Sequence, residues 1–451
     1  MLKALDMTSE LVKQLEGIVG GGHRLADAEA LRYAVDGVVP KVVAFPGSVE
    51  EVSAVLAACS EAKAAVVPWG AGVHMGLGGI PKRADVILGL GRLNRALDHE
   101  PGDMTSTVQA GMVLSDYQKH LGRQGQFLGL DPPGAGRATV GGILAANASG
   151  PRRLRYGTAR DQLIGLQVVN PDGTVTKGGA KVVKNVTGYD TNKLYVGSLG
   201  TLGVIVEATF RLYPIPACER TWVAAFSTAA KARRVAAKIL DSPLVPSALE
   251  LLNEAAAREV SRRVGVTSEV HGVVLAVAVA SVPEAVEAQI RTAQAMAGEA
   301  DEHEVLVGQS HEEFWSAVGD FDPGSASAVV LKAGVLLDQT AEAMEFGERL
   351  AAGHGLHVAV ISEAGTGILR FHFRANEGAD GTTRLAEVVE PLRAFALHAK
   401  GSLVVLHAPA TVKKRVDVWG PPGKGFALMR GLKEQLDPGR ILNPGRFVGG
   451  L

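Results

Sequence analysis

Five of the ten residues from Gly70 to Gly79 are glycine, in the run Trp69-Gly70-Ala71-Gly72-Val73-His74-Met75-Gly76-Leu77-Gly78-Gly79. Main-chain N–H groups in such a turn form a concavity for anionic oxygens, and the missing Cβ lets the backbone approach a diphosphate. A Rossmann-type turn would open a helix at its last glycine and carry an acid roughly 20 residues on. Here Gly76-Leu-Gly-Gly-Ile-Pro81 cannot run as a helix, which argues against a nicotinamide site. On this segment alone, a purely structural turn stays open.

Glycine is in excess along the whole chain: 55 of 451 residues, about 12% against a usual ~7%. Three further clusters account for its placement. Thr139-Val-Gly-Gly with Ala145-Ala-Asn147 offers small residues and an amide where a flat ring could lie close to backbone. Gly197-Ser-Leu-Gly-Thr-Leu-Gly-Val-Ile205 sets three glycines ahead of a strand, and Asn443-Pro-Gly-Arg446 closes the chain with a rigid turn bearing an amide and a guanidinium.

Around these segments the pattern is α/β. Residues 41–46 read as a strand, Ser48 with Glu51 as a capping box opening a helix to Glu61, and residues 64–68 and 85–90 as further strands. Strands are expected at 105–110, 163–170 and 202–213, with helices at 115–122 (capped by Ser115) and 139–146. Pro214-Ile-Pro216 marks a boundary. Beyond it, Ala- and Glu-rich helical segments (228–240, 282–297, 340–352) alternate with strands (272–280, 368–374), which suits an antiparallel sheet covered by helices. The length exceeds one compact core. The expected domains are 1–216 (with subdomains of about 36–100 and 101–216) and 217–410, with 411–451 returning to the first.

A formal charge of -1 gives no field for nucleic acid or anionic lipid. The longest apolar run, 273–280, falls far short of the ~18 residues of a membrane span. The first fourteen residues carry Lys3, Asp6, Glu10 and Lys13 and do not read as a secretory signal. The expectation is a soluble cytoplasmic protein with no direct membrane insertion, any attachment at the inner face of the membrane coming through partner subunits. The two cysteines, Cys59 and Cys218, lie in no metal or redox spacing and cannot hold an iron–sulfur cluster.

Taken together, the G-A-G loop, T-V-G-G with A-A-N-A, Tyr156-Gly157 and G-S-L-G-T-L-G-V-I resemble the FAD-binding domain of the vanillyl-alcohol oxidase and p-cresol methylhydroxylase family. The resemblance implies an α+β fold: a two-subdomain FAD-binding domain of the p-cresol methylhydroxylase type under an α/β cap domain with an antiparallel sheet. It also implies that FAD is held by Pro68, Trp69, Gly70, Ala71, Gly72, Val73, His74, Pro132, Thr139, Gly141, Gly142, Ala145, Asn147 and Tyr156. Gly200, Thr201, Gly203, Val204, Ile205, Asn443 and Arg446 complete the set. Many members tether the flavin through a histidine directly after the glycine pair. Val73 fills that slot and His74 follows it, so the FAD is expected to be non-covalent.

Within the family, Gly150-Pro-Arg-Arg-Leu-Arg-Tyr-Gly, Val182-Val-Lys-Asn-Val-Thr-Gly-Tyr-Asp190 and Val418-Trp-Gly-Pro-Pro422 resemble the E-subunit branch of bacterial glycolate oxidases. That likeness implies a 2-hydroxy acid substrate such as glycolate, a sister flavin subunit and a separate iron–sulfur subunit. The D subunits and D-lactate dehydrogenases carry an H-x-G-D-G-N-x-H segment in the cap. This chain has Val404-Val-Leu-His407-Ala-Pro instead, with a lone histidine. Two readings therefore stand, a hydroxy-acid dehydrogenase and a flavin-carrying or structural partner subunit, with a sugar-acid or alditol oxidase as a third.

In the cap, alternation along 368–374 puts Arg370, His372 and Arg374 on one face. Such a face could clamp a carboxylate and take a hydroxyl proton, making these three the candidate catalytic residues; an ion-paired, solvated face is the alternative. Arg152, Arg153 and Arg155, with Lys181 and Lys184, could steer an acidic substrate or partner, or form a solvated rim. His354 and His357 lack a third ligand, and no metal site is expected.

Overall fold

The computed structural model describes residues 2–179, 190–265, 271–298, 300–321, 328–376 and 380–451. Lys181, Lys184 and most of the Val182–Asp190 motif lie outside the described residues. The fold is α+β, built on three main sheets.

The first sheet orders Arg24–Ala26, Val42–Ala44, Val86–Gly89 and Val66–Trp69, the last three parallel. Parallel strands need a crossover helix, and Val49–Glu61 supplies one. It buries Val52, Val55, Leu56 and Cys59, the i, i+3, i+4, i+7 face of an amphipathic helix. Ser48 Oγ accepts from Glu51 N at 3.2 Å and Glu51 accepts from Gly47 N at 2.7 Å, fixing its start.

The second sheet is antiparallel, in the order Ala96–Glu100, Thr105–Gln109, Val204–Arg211, Leu163–Val169 and Val175–Gly179. Helices Leu114–Gly122 and Val140–Ala146 pack on it through Leu114, Tyr117, Ile143 and Leu144. The first of these begins one residue earlier than expected and lacks the Ser115 cap. Val113 stands at the N-cap, and Ser115 Oγ bonds Gly136 O at 3.4 Å instead.

The third sheet has eight strands, all antiparallel. Helices Ala229–Leu240, Pro283–Met296, Thr340–Gly353 and Val389–His398 bury one face around Trp222, Phe226, Leu275, Phe371 and Phe373. On the opposite face, Glu254–Arg263 and Gln309–Gly319 cover only part, around Phe314 and Ile361. The remainder meets loops from the second sheet: Gly134 N donates to Asp320 Oδ1 at 2.5 Å, and Arg155 Nη1 donates to Ala280 O at 2.6 Å. Leu154 sits against Gly365, where a Cβ would lie 2.4 Å from it.

The C-terminal segment runs back to the first sheet. Val66 N donates to Ile441 O at 2.7 Å and Asn443 N to Val66 O at 2.9 Å. Buried Lys433 ties it down, its Nζ donating to Thr201 O (2.7 Å), Leu442 O (2.9 Å) and Asp437 Oδ2 (2.5 Å).

Candidate active site

The four glycine segments converge. They line one groove between the first two sheets, which contains Pro68, Trp69, Gly70, Ala71, Gly72, Val73 and His74 from the loop. Thr139, Gly141, Gly142 and Ala145 come from the short helix, Gly200, Gly203, Val204 and Ile205 from the strand entry, and Asn443 and Arg446 from the tail. Met75, Leu90, Ala110, Ala138, Ala146 and Leu199 also line it. Sequence reasoning missed these because they are ordinary apolar residues made into lining by packing alone.

Opposed cations hold the loop open. Arg446 Nη2 donates to Met75 O at 2.7 Å and Leu77 O at 2.6 Å, while Lys413 Nζ donates to Gly76 O at 2.8 Å and Gly78 O at 3.1 Å. Four successive carbonyls are thus occupied. The main-chain N–H groups of residues 71–74 meet no acceptor among the described residues. Burial lowers Arg446 to about 10, still charged near neutral pH.

Several of the glycines serve this convergence directly. A Cβ on Gly70 would stand 2.1 Å from Thr139 Oγ1, one on Gly78 2.6 Å from Arg446 O, and one on Gly79 2.8 Å from Gly445 O. Their bareness lets the segments pack against each other, a role the phosphate argument did not include.

The groove suits an extended polar ligand. Buried His74 Nε2, Asn443 Oδ1 and Arg446 Nε in the groove, and Asn147 Oδ1 in the cavity beside it, have no protein partner, and each such buried polar atom calls for a partner from a ligand or water. The donor-rich loop at one end and the small-residue helix at the other fit FAD, with its diphosphate and flat ring.

Beyond His74 and Val73 the groove meets a second cavity, of about 650 Å³, between the second sheet's loops and the uncovered face of the large sheet. Arg370 and His372 line it, as do Asn147, Arg153, Lys332, Glu363, Phe321 and His407. Alternation works as expected here: Leu369, Phe371 and Phe373 are in the core, with Arg370 and His372 on the other face, both 6% exposed. Arg370 Nη2 lies 3.7 Å from Glu363 Oε1 without a hydrogen bond, and His372 Nδ1 also lacks a partner. Burial, then the Arg370 and Arg263 guanidiniums, lowers His372 to about 3; burial lowers His74 to about 4. Both imidazoles are neutral near pH 7. Glu250 pairs with Glu363 across adjacent strands. Burial and the Glu363 charge push its carboxyl well above the usual range.

Four expected residues lie elsewhere. Arg374 shares the face of Arg370 but sits at the far end of its strand, exposed and away from the cavity. Tyr156 is spent in an aromatic cluster, with ring centroids 5.4 Å from Phe127 and 4.7 Å from Tyr213. Thr201 points away from the groove, its hydroxyl donating to Ser198 O at 2.6 Å. Pro132 is buried in its loop turn, and its neighbour Pro133 reaches the cavity instead.

The basic run is divided rather than a solvated rim. Arg152 pairs with Glu219 at 2.9 Å, Arg155 caps Ala280 O, and Arg153 enters the cavity. His354 Nδ1 bonds Leu350 O at 2.9 Å and His357 is exposed; among the described residues no three potential ligands cluster for a metal. Nor is any described helix long and apolar enough to cross a membrane.

Comparison with known proteins agrees with this geometry. Residues 40–179 match the FAD binding domain family and residues 215–447 the C-terminal domain of FAD linked oxidases. The chain is 27% identical to the glycolate oxidase subunit GlcD of Bacillus subtilis, covering 98% of this chain and 96% of that one. It is 30% identical to the D-2-hydroxyglutarate dehydrogenase of Xanthomonas citri pv. viticola, covering 90% and 89%. In fold it resembles p-cresol methylhydroxylase with substrate bound, with a TM-score of 0.75 at 17% identity over 98% of this chain and 96% of that one.

Proposed function

The chain belongs to the FAD linked oxidases, and from that premise we propose that it oxidises a 2-hydroxy acid to the 2-oxo acid in the cavity beside the FAD groove. The observation that carries this reading is a guanidinium nitrogen on Arg370 that makes no hydrogen bond beside a neutral imidazole on His372 whose Nδ1 makes none, two residues apart on one buried face. Bound FAD supplies the two-electron acceptor.

The chain's own groups supply positioning and proton transfer. Arg370 presents a planar fork to the substrate carboxylate. His372 takes the hydroxyl proton at Nδ1. Burial is the larger reason His372 is low; a carboxylate seated on Arg370 would offset one of the two guanidiniums that add to it, raising its basicity when substrate is present. Phe321, whose ring meets His372 edge-on at 4.8 Å, helps to keep water from that imidazole. With Val73 in the tethering slot, the FAD is read as non-covalent, held by the groove residues. Neither Cys59 nor Cys218 can hold an iron–sulfur cluster, so electrons leave to a separate acceptor, for which an iron–sulfur subunit beside a sister flavin subunit is the proposed form.

A second reading, a flavin-carrying partner subunit without independent turnover, is favoured by one observation. His407 lines the cavity where the D-type segment would bring several ligands. Anaerobic mixing of the purified FAD-loaded chain with a panel of 2-hydroxy acids separates the two. Bleaching of the flavin band by the chain alone is expected. Bleaching only after a sister subunit is added would establish the second reading.

A further inference from the structure

Arg370 has neighbours that could draw its guanidinium out of the cavity and one that keeps it there. Lys332 stands directly opposite in the strand register and repels it. Three carboxyls are close enough to act on its charge: Asp131, Glu250 and Glu363. Asp131 is taken, both of its oxygens accepting from Arg152 N, at 3.2 and 3.0 Å. Glu250 is fully buried, and neither of its oxygens has a hydrogen-bond partner. Glu363, opposite Glu250 on the adjacent strand, places Oε1 3.7 Å from Arg370 Nη2. Its Oε2 accepts from Thr366 Oγ1 at 2.9 Å and lies 3.7 Å from Arg153 Nε. The turn beneath is closed by Thr366 N and Gly367 N, which donate to Glu363 O at 3.0 and 3.1 Å. A rigid turn thus fixes this carboxylate with one oxygen toward Arg370. At that separation Coulomb attraction persists, because it falls only as the inverse of distance, but no hydrogen bond forms. Arg370 is held while its Nη2 hydrogens stay unspent.

We propose that Glu363 is a positioning residue: it holds Arg370 in the cavity at ion-pair distance, and without it the guanidinium swings to Glu250 and leaves the substrate carboxylate unheld. The inference rests on reading Arg370 as the group that binds the hydroxy acid's carboxylate. After burial, the Glu363 charge is the largest cause that raises the Glu250 carboxyl. Removing that charge therefore favours an ionised Glu250 at the same moment that it frees Arg370 to move.

The test reads the binding of butyrate, a redox-inert monocarboxylate, by calorimetry on the full-length FAD-loaded chain. Glu363→Gln keeps the shape of the side chain and removes its charge. Charge alone would make this variant bind an anion more tightly, since a carboxylate has gone from beside the arginine. Positioning predicts the reverse, a loss of at least about 10-fold. Adding Glu250→Gln should bring the affinity back to within about 3-fold of wild type, a coupling that a general loss of structure would not show. Thr366→Val frees the carboxylate without removing it and should cost about 3-fold, which keeps the test alive should Glu363→Gln fail to fold. Tighter binding in Glu363→Gln, no recovery in the double variant, or an unchanged affinity in Thr366→Val would each overturn the proposal. A wild-type chain that binds no butyrate would overturn it as well, by removing the carboxylate role of Arg370. The expected butyrate pattern beside a flavin that no 2-hydroxy acid bleaches would support the positioning and reject the oxidation reading instead.

Discussion

Arg446 and Lys413 grip one loop from two directions, the guanidinium on the carbonyls of Met75 and Leu77 and the ammonium on those of Gly76 and Gly78. Lys413 is itself held by Asp36 Oδ2 at 2.7 Å, so a buried ion pair anchors the loop from below. Replacing Lys413 by Met leaves Asp36 and two carbonyls without their partner, a loss on the order of 3–5 kcal/mol. FAD affinity, followed by quenching of flavin fluorescence, should fall by about 100-fold. An affinity within about 3-fold of wild type would mean that the clasp does not shape the groove.

Gly70 and Thr139 form a second coupled pair, because a Cβ at 70 would collide with the threonine hydroxyl at 2.1 Å. Gly70→Ala should therefore abolish FAD retention through gel filtration. Thr139→Ala alone loses a helix cap worth about 1 kcal/mol, since Thr139 Oγ1 accepts from Gly142 N at 3.3 Å. In the double variant the collision is relieved, and part of the FAD binding should return. Additive losses would contradict the packing account.

The buried imidazoles fix the acid limb of stability. His372 and His74 are lowered to about 3 and about 4 from an ordinary 6.5, so the unfolded chain takes up protons that the native state refuses as pH falls below that value. Stability is present above about 6.5 and is lost toward 4, each group contributing a slope of up to about 1.4 kcal/mol per pH unit. Urea unfolding of His372→Gln at pH 7 and pH 5 should show a smaller difference than wild type. An unchanged difference would mean that His372 is already protonated in the native state.

Carboxyls with raised values act with the opposite sign. Burial pushes Asp131 to about 7 and Glu250 well above its ordinary range, so the native state holds protons that the unfolded chain has released. Their contribution is present at low pH and fades as pH rises. Glu250→Gln should therefore stabilise the chain at pH 8 and leave it nearly unchanged at pH 4, as read by thermal unfolding. Destabilisation at pH 8 would show that Glu250 is ionised and paired.

The groove was legible in the sequence because glycine clusters mark it locally: each segment carries its own signal, and their order along the chain identified the fold. The cavity was legible only along one strand, where alternation placed Arg370 and His372 together. Lys332 and Glu250 are each a lone charge in an otherwise apolar strand, Val329–Gly334 and Ala248–Leu252, and that contrast was the available signal. What sequence could not supply was the register that sets Lys332 opposite Arg370, because pairing between distant strands leaves no local trace. Tyr156 and Thr201 fall outside the groove lining for a related reason. Belonging to a motif does not set which way a side chain points, and neighbours distant in sequence, Phe127 and Tyr213 for one, turned Tyr156 inward.

Hydroxy-acid oxidation in this cavity stands or falls with the guanidinium on its uncovered sheet face. The decisive measurement is the anaerobic rate at which a 2-hydroxy acid bleaches the bound flavin in Arg370→Met, set against wild type at equal flavin content. The rate should fall by at least about 100-fold, the scale of losing a charged positioning contact. A variant that bleaches as fast as wild type would place the substrate somewhere else.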